Sequence, residues 1–266
     1  LEGRLMPDRD LAAEIDFALG LAGMADTVTL QPFHARDFTV DWKTNRTEVT
    51  ELDRRTEEVL ADAIAHYRPH DAVFGEEFGG RGSDASGWTW VIDPIDGTSN
   101  YTRGVPAWAT LIALLDPNDA PVLGVVSAPA LGARWHGAVG LGAFNSRGAI
   151  HVSSIATLDD AQVSVTPNSG WVDAGGYDKV IELQRAAYRA RGFGDFWQHM
   201  LVAEGAIDAA VDAIGLEPYD TAALWPIVTE AGGRITDRLG GNSFRNGSAV
   251  SSNGLLHSAV LSIVAC

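Results

Sequence analysis

The sequence predicts a layered α/β fold, with helices sandwiching an antiparallel sheet in the first half and a mixed sheet in the second. Three observations carry that prediction. Between residues 107 and 153, short apolar segments alternate with turns, the pattern of an antiparallel meander. From residue 162 onward, strand-like and helix-like segments alternate, as in an α/β unit. The chain has 266 residues that are 46% hydrophobic, with no internal repeat and no linker long enough to separate the halves, so a sizeable core is available.

The elements follow in order. Leu11, Ile15, Ala18, Leu19 and Ala22 recur at helical spacing and predict a helix over 7–25, with Asp8 as its cap. Residues 31–43 read as irregular or as a short strand. A second helix is predicted over 50–67, with Val59, Leu60, Ala63, Ile64 and Tyr67 facing inward, ending at Arg68 before Pro69. Residues 72–75 form a strand delivering Glu76 and Glu77, and the Gly/Ser-rich stretch 79–87 reads as a mobile loop. Trp90, Val91 and Ile92 form the next strand, which stops where Pro94 biases Asp93 towards an extended backbone. The meander segments are 107–115, 121–128, 134–138 and 148–153, with turns at 116–119 and 140–145. Its end near residue 150 is the expected internal boundary, between 7–150 and 151–266. Beyond it come a strand at 162–166, helices at 177–191, 196–211 and 221–231, and strands at 234–236 and 249–251. Leu1–Leu5, ahead of Met6, reads as a remnant outside the fold.

A net charge of −16 weighs against nucleic acid or an anionic membrane as partner. An anionic substrate must therefore meet local positive charge, most simply bound metal. The single cysteine, Cys266, excludes a disulfide framework and a zinc cluster. No signal-peptide pattern and no apolar run near 18 residues is found, so the expected compartment is the cytoplasm. Seven histidines show no HExxH spacing, and neither a GxSxG elbow nor a P-loop is present.

The chemistry centres on Trp88 to Tyr101, WTWVIDPIDGTSNY. Asp96 has helix-capping chemistry, and Gly97 lets the backbone approach whatever lies in front. The N–H groups of Gly97 and Thr98 then face an anion, while Asp93 and Asp96, pinned by Pro94, share divalent cations. Taken alone, this stretch is a strand-to-helix turn. Asp220 alone is a plain cap, and Glu76 alone is a strand-end acid. Brought together, these carboxylates repel by roughly 4 kcal/mol per pair at about 4 Å and an effective dielectric near 20. Such a cluster needs cations or protons, and its oxygen donors suit Mg²⁺ or Mn²⁺ rather than zinc.

Four blocks stand in order: Lys43 ahead of Thr50-Glu51-Leu52-Asp53, then Gly75-Glu76-Glu77, then Asp93 to Tyr101, then Asp220 to Gly233. A weaker fifth is the turn from Gly140 to Asn145. In this arrangement the chain resembles the inositol monophosphatase family of metal-dependent phosphatases over nearly its whole length. The resemblance implies an αβαβα sandwich of the sugar-phosphatase/inositol-monophosphatase type, a homodimer, and two to three Mg²⁺ per subunit, with Mn²⁺ as substitute. Glu76, Asp93 and the Ile95 carbonyl would hold the first ion. Asp93, Asp96 and Asp220 would hold a second, with Glu76 touching a weaker third through water. Gly97 and Thr98 would bind phosphate oxygens. The Thr98 hydroxyl, bonded to Asp53, would orient the attacking water beside Glu76, and Lys43 would sit near the third ion's waters. Tyr219 replaces the family's usual Trp before the Asp, which removes no ligand.

The segment Arg191 to Trp197 is similar to the histidinol-phosphate phosphatase branch, whose inositol-specific cousins usually carry a small neutral residue where Asp195 stands. Histidinol phosphate carries an ammonium and an imidazole, so Asp195 would pair with a cation in a charge-assisted hydrogen bond. Glu217 would do so from the other side, Arg191 is a further candidate contact, and Trp197 a candidate stacking surface for the imidazole. Their plainer readings are a helix cap, a solvated loop charge, a helix C-terminal charge and a core aromatic. The expected activity is hydrolysis of L-histidinol phosphate in histidine biosynthesis. The alternatives are an inositol-1-phosphatase or broad sugar phosphatase, and a non-catalytic metal-binding scaffold, against which the intact Thr98 and Asp53 stand.

Overall fold

The computed structural model describes residues 9–44, 47–83 and 85–265. The expected remnant Leu1–Leu5, the Asp8 cap and Cys266 lie outside them.

Helix α1 (Leu11–Ala35) is capped by the Asp10 carboxylate, which accepts from the Ala12 and Ala13 amides at 3.1 and 3.3 Å. It ends ten residues later than the periodicity predicts. Thr27, Val28, Thr29 and Pro32 are weak helix formers, and packing overrides them. Phe33 is buried with its ring 5.3 Å from both Tyr101 and Trp108, and the Tyr101 hydroxyl donates to the Thr29 carbonyl at 2.7 Å. The hairpin β1 (Val40–Trp42) and β2 (Glu48–Thr50) follows, and Thr50 caps α2 (Glu51–Tyr67), where sequence placed the helix.

Strands β3 (Ala72–Gly75), β4 (Gly79–Gly82) and β5 (Thr89–Asp96) come next, then α3 (Thr98–Arg103). The glycine stretch expected as a loop thus supplies an edge strand: Gly79 takes a left-handed φ of +67°, and the chain doubles back on β3. The meander is β6 (Ala109–Leu115), β7 (Pro121–Ala128), β8 (Ala133–Ala138), β9 (Gly142–Asn145) and β10 (Gly148–Ala149). The predicted turn at 140–145 is in fact mostly β9. These strands form one eight-stranded sheet in the order β10-β9-β8-β7-β6-β5-β3-β4, antiparallel except for the β3–β5 pair.

The second half contributes β11 (Gln162–Val165), α4 (Ser169–Asp173), α5 (Tyr177–Ala186), β12 (Arg189–Arg191), α6 (Asp195–Ala203), β13 (Ala209–Ile214), α7 (Pro218–Thr221), α8 (Leu224–Glu230), β14 (Arg234–Thr236), β15 (Ser248–Ser252) and α9 (His257–Val264). Its five strands form a mixed sheet in the order β12-β11-β13-β15-β14. Three helix predictions need correction. The helix expected to 191 stops at Ala186 and gives way to β12. The one expected to 211 stops at Ala203, because Gly205 turns the chain at φ +70° and Ala209–Ile214 enters the sheet as a buried strand. The one expected over 221–231 is two short helices.

Alternation along β5 explains the layering. Trp90 and Ile92 face α1 and α2 with Leu21, Leu60 and Ile64, while Val91 faces α6 and α8 with Met200, Leu224 and Ile227. The far face of the second sheet is covered by α5 and α9 through Leu183, Val260 and Val264. The result is an αβαβα sandwich whose middle helical layer serves both sheets. Its closeness to the first sheet depends on Gly124 of β7, where a Cβ would lie 2.0 Å from the Ala223 carbonyl oxygen. Gly124→Ala should therefore cost about 3 kcal/mol or more, lowering Tm by roughly 10 °C. A thermal melt within about 2 °C of wild type would show that the layers part freely.

Candidate active site

The site is built where β5 ends. With period-2 alternation, Asp93 and Asp96 would point to opposite faces of the sheet. The β5–β6 register breaks between them, so Pro94 and Ile95 leave the ladder and both carboxylates emerge on one side. The Ile95 amide donates to Asp93 Oδ1 at 3.1 Å, and Thr110 Oγ1 donates to the Pro94 carbonyl at 2.8 Å, fixing the break. Asp220 arrives from α7, its Oδ2 accepting the Glu217 amide at 2.7 Å. One oxygen from each of Asp93, Asp96 and Asp220 falls within 4.8 Å of the others.

These three carboxylates resist ionisation together. Burial pushes Asp93 well above the usual carboxylate range, and the charges of Glu76, Asp96 and Asp220 push it further. Burial, then Asp195 and Asp220, does the same for Asp96 against the opposing Phe196 amide. Asp220 is pushed up to about 7, mainly by burial. The charge of Glu76 adds to that rise, while the Glu217 amide opposes it. Crowded, all-oxygen donors of this kind, with Asp93 buried and Asp96 and Asp220 half-buried, fit hard divalent cations.

Glu76 stands beside the cluster, paired with Lys43 Nζ at 2.8 Å, and Lys43 also donates to Glu77 at 2.6 Å. Burial disfavours the Lys43 ammonium, yet these two acids outweigh it and hold its pKa above the ordinary value. The loop bearing Glu76 is anchored by Glu57 of α2, whose carboxylate accepts the Glu77 and Phe78 amides at 2.7 and 3.0 Å. Gly75 makes room for that carboxylate, since a Cβ there would lie 2.1 Å from it. Glu57 escaped sequence reasoning because on an amphipathic helix it looks like any polar-face acid.

On the other flank, Gly97 has φ +81°, and a Cβ there would meet the Ala107 carbonyl oxygen at 3.1 Å and Asp195 Oδ2 at 3.5 Å. The Thr98 hydroxyl lies 3.1 Å from Asp53 Oδ1 and 3.0 Å from the Ile95 carbonyl, so its one proton can go to either. Burial pushes Asp53 up to about 7, against the pull of the Thr50 hydroxyl and amide at 2.6 and 2.8 Å. That reciprocal Thr50–Asp53 arrangement is a capping box, readable in the sequence as T-x-x-D.

Asp195 opens α6 with a left-handed φ of +47°, and its Oδ2 accepts from Asn100 Nδ2 at 3.3 Å. Asn100 also donates to the Ala107 carbonyl at 2.8 Å, a role that its place in the motif did not disclose. Burial and the charge of Asp212 push Asp195 up to about 6, while His199 pulls it down. A cavity of about 690 Å³ is lined by Lys43, Glu76, Gly97, Thr98, Asp195 and Asp220, with exposed Glu217 and the rings of Trp42 and Tyr219 on its walls. Two expected contacts lie elsewhere. Arg191 ends edge strand β12, exposed, with Nη1 on the Ala190 carbonyl at 2.6 Å, because the helix predicted there stops short. Trp197 packs edge-on against Phe193 at 5.4 Å and lines a separate groove beside Trp135 and Glu204.

An αβαβα sandwich with clustered acids beside a glycine turn at the end of a central strand defines a metal-dependent phosphatase. The model of the inositol monophosphatase family matches residues 10–265. A histidinol-phosphatase of Streptomyces coelicolor is 44% identical, over 95% of this chain and 97% of its own. One of Mycobacterium tuberculosis is 46% identical, over 93% and 96%. Among solved structures, the IMPase of Thermotoga maritima superimposes with a TM-score of 0.83 at 30% identity, covering 95% of this chain and 96% of that one. The chain belongs to the inositol monophosphatase family and is a phosphatase acting on a small phosphate ester. No helix among the described residues is long and apolar enough to cross a membrane.

Proposed function

We propose that the protein is a Mg²⁺-dependent phosphomonoesterase that hydrolyses L-histidinol phosphate to L-histidinol and phosphate, as a cytoplasmic homodimer serving histidine biosynthesis. The carrying observation is the Asp195 carboxylate, whose Oδ2 sits 3.5 Å from where a Gly97 Cβ would be. In histidinol phosphate the ammonium is on the carbon next to the CH₂–O–P group. A carboxylate beside the phosphate cradle is therefore within reach of it, and the two relatives named above carry that substrate in their names. A neutral polyol phosphate gives Asp195 no cation to pair with.

Asp93, Asp96, Asp220, Glu76 and the Ile95 carbonyl would hold two to three Mg²⁺, with Mn²⁺ as substitute. When bound, such ions neutralise the carboxylates, lower the pKa of the attacking water and offset charge on the ester. The chain's own groups do the rest. The Gly97 and Thr98 amides take phosphate oxygens, in space that the missing Gly97 side chain leaves open. Asp53, held by Thr50, accepts the Thr98 proton, leaving the hydroxyl oxygen to orient water for in-line attack. Glu76 stands ready for the water's proton, and Lys43 holds Glu76 in place. Glu217 is the second acid for the imidazole end, walled by Trp42 and Tyr219.

With Mg²⁺, kcat/KM for L-histidinol phosphate should exceed that for inositol 1-phosphate by about 100-fold, or ~2.7 kcal/mol in the transition state. Asp195→Asn tolerates the left-handed backbone that Ala would resist. It should remove most of that preference, costing the neutral ester less than about threefold. Comparable wild-type values would leave a general phosphatase, and equal losses on both esters would make Asp195 structural.

A further inference from the structure

We propose that a buried chain of hydrogen bonds under α6, running from the Phe193 amide through Ser164, Gln198, Thr166, Asp212 and His199 to Ser251, holds the Asp195 turn and so sets selectivity for a cationic ester. The inference rests on the substrate reading above. Gly194 and Asp195 are consecutive residues with positive φ, +78° and +47°. For an aspartate that backbone is strained and persists only where its surroundings over-determine it.

The chain supplies that determination. Ser164 Oγ accepts the Phe193 amide at 3.0 Å and donates to Gln198 Oε1 at 2.8 Å. Gln198 Nε2 donates to Thr166 Oγ1 at 2.9 Å, and Thr166 donates to Asp212 Oδ1 at 3.1 Å. Asp212 Oδ2 lies 3.0 Å from His199 Nε2, and His199 Nδ1 lies 2.8 Å from Ser251 Oγ. Ser164, Gln198, His199 and Ser251 are fully buried and Asp212 nearly so.

The direction of the chain is forced. Asp212 Oδ1 already accepts the Ala213 amide at 2.7 Å, so Thr166 donates to it and can receive only the Gln198 amide N–H. The Gln198 oxygen must then accept from Ser164, whose lone pair is left for the Phe193 amide. One carboxylate on β13 thereby orients every bond out to the residue two before Asp195. The Thr166 methyl completes the support, 3.5 Å from where a Gly194 Cβ would be. On the far side of the turn, the Phe196 amide is tied to Asp96 at 3.0 Å. A buried polar network is no more stabilising than apolar packing of the same shape, so its use here is orientation: these are positioning residues, and none lines the cavity.

The test uses the Mg²⁺-loaded full chain and two esters, L-histidinol phosphate and inositol 1-phosphate. Thr166→Val keeps the shape and breaks two links at once, and Gln198→Met does so independently should the first fail to fold. Either should raise KM for histidinol phosphate about tenfold, with kcat within about threefold and inositol 1-phosphate little changed. Thr166→Ser, which keeps the hydroxyl and loses only the methyl, should bring KM back to within about threefold of wild type. A wild type without preference for the cationic ester overturns the substrate reading and the selectivity role together. A preference that survives both variants overturns the positioning role alone. Equal losses on both esters, or misfolding of both variants while Thr166→Ser folds, would show that the chain holds the fold rather than the turn.

Discussion

Asp93→Asn should lower kcat/KM by about 10³-fold or more, some 4 kcal/mol of transition-state stabilisation, and leave the fold intact. Asp93 is buried at the register break of β5, facing the charges of Glu76, Asp96 and Asp220. Asparagine has the same shape and can keep the bond from the Ile95 amide, so the break in β5 survives. What disappears is the charge that both proposed cation positions share. The stability of the variant carries the second half of the expectation. Without divalent ions it should be at least as stable as wild type, because one repelling carboxylate is gone, and adding Mg²⁺ should raise its Tm less. Activity above about 1% of wild type, at unchanged Mg²⁺ dependence, would remove Asp93 from the site.

Much of this site could be read in the chain before folding, and the reason is local. Asp93, Asp96, Gly97 and Thr98 lie within six residues whose proline and glycine dictate the backbone, and Thr50 with Asp53 forms a capping box that needs no tertiary information. Asp195 was legible as chemistry only. Its nearness to Gly97 comes from contacts about a hundred residues away, and its left-handed backbone is held by Ser164 and Thr166, about thirty residues away. Arg191 misled because its predicted helix ends early at sheet pairing, and Trp197 because its helix forms but its ring lines another groove. The β12 strand displaced one, and the groove under Trp135 took the other. The overextended helix at 196–211 failed for a related reason: Ala209 to Ile214 has no alternation to betray a strand buried on both faces. The run through Pro32 in α1 is the converse, where aromatic packing carries a helix through residues that would end it.

Stripping divalent ions should make the protein's stability fall as pH rises. Asp53 and Asp220 hold protons up to about 7, and Asp93 and Asp96 are also well above the usual carboxylate range, all with burial as the first cause. The unfolded chain releases these protons near pH 4. Above that point the folded state binds more protons than the unfolded one, so the slope of stability against pH is negative. The contribution is complete below about pH 4 and is lost as pH passes the folded values. His257 acts oppositely, lowered to about 4 by burial, but its part is constant above its ordinary value near 6.5. Between pH 6.5 and 8.5 Asp53 and Asp220 alone should therefore cost the chelator-treated protein about 2 kcal/mol, roughly 5 °C in Tm. Mg²⁺ should cancel most of that loss, with its largest effect at the alkaline end. Melts with chelator that are flat or rising over this range would show that the cluster is not strained by charge.

The middle helical layer has a kinetic consequence. Asp93 and Asp96 belong to the eight-stranded sheet, whereas Asp195 and Asp220 ride on α6 and α7, so Phe196 meets Asp96 across 100 residues of chain. Contacts that distant are closed late, after the loop entropy of everything between them has been overcome. Neither half alone assembles the carboxylate cluster. During refolding, hydrolysis should return only with the final docking of the two sheets on their common helices, lagging the recovery of secondary structure. Turnover would then report the last folding event.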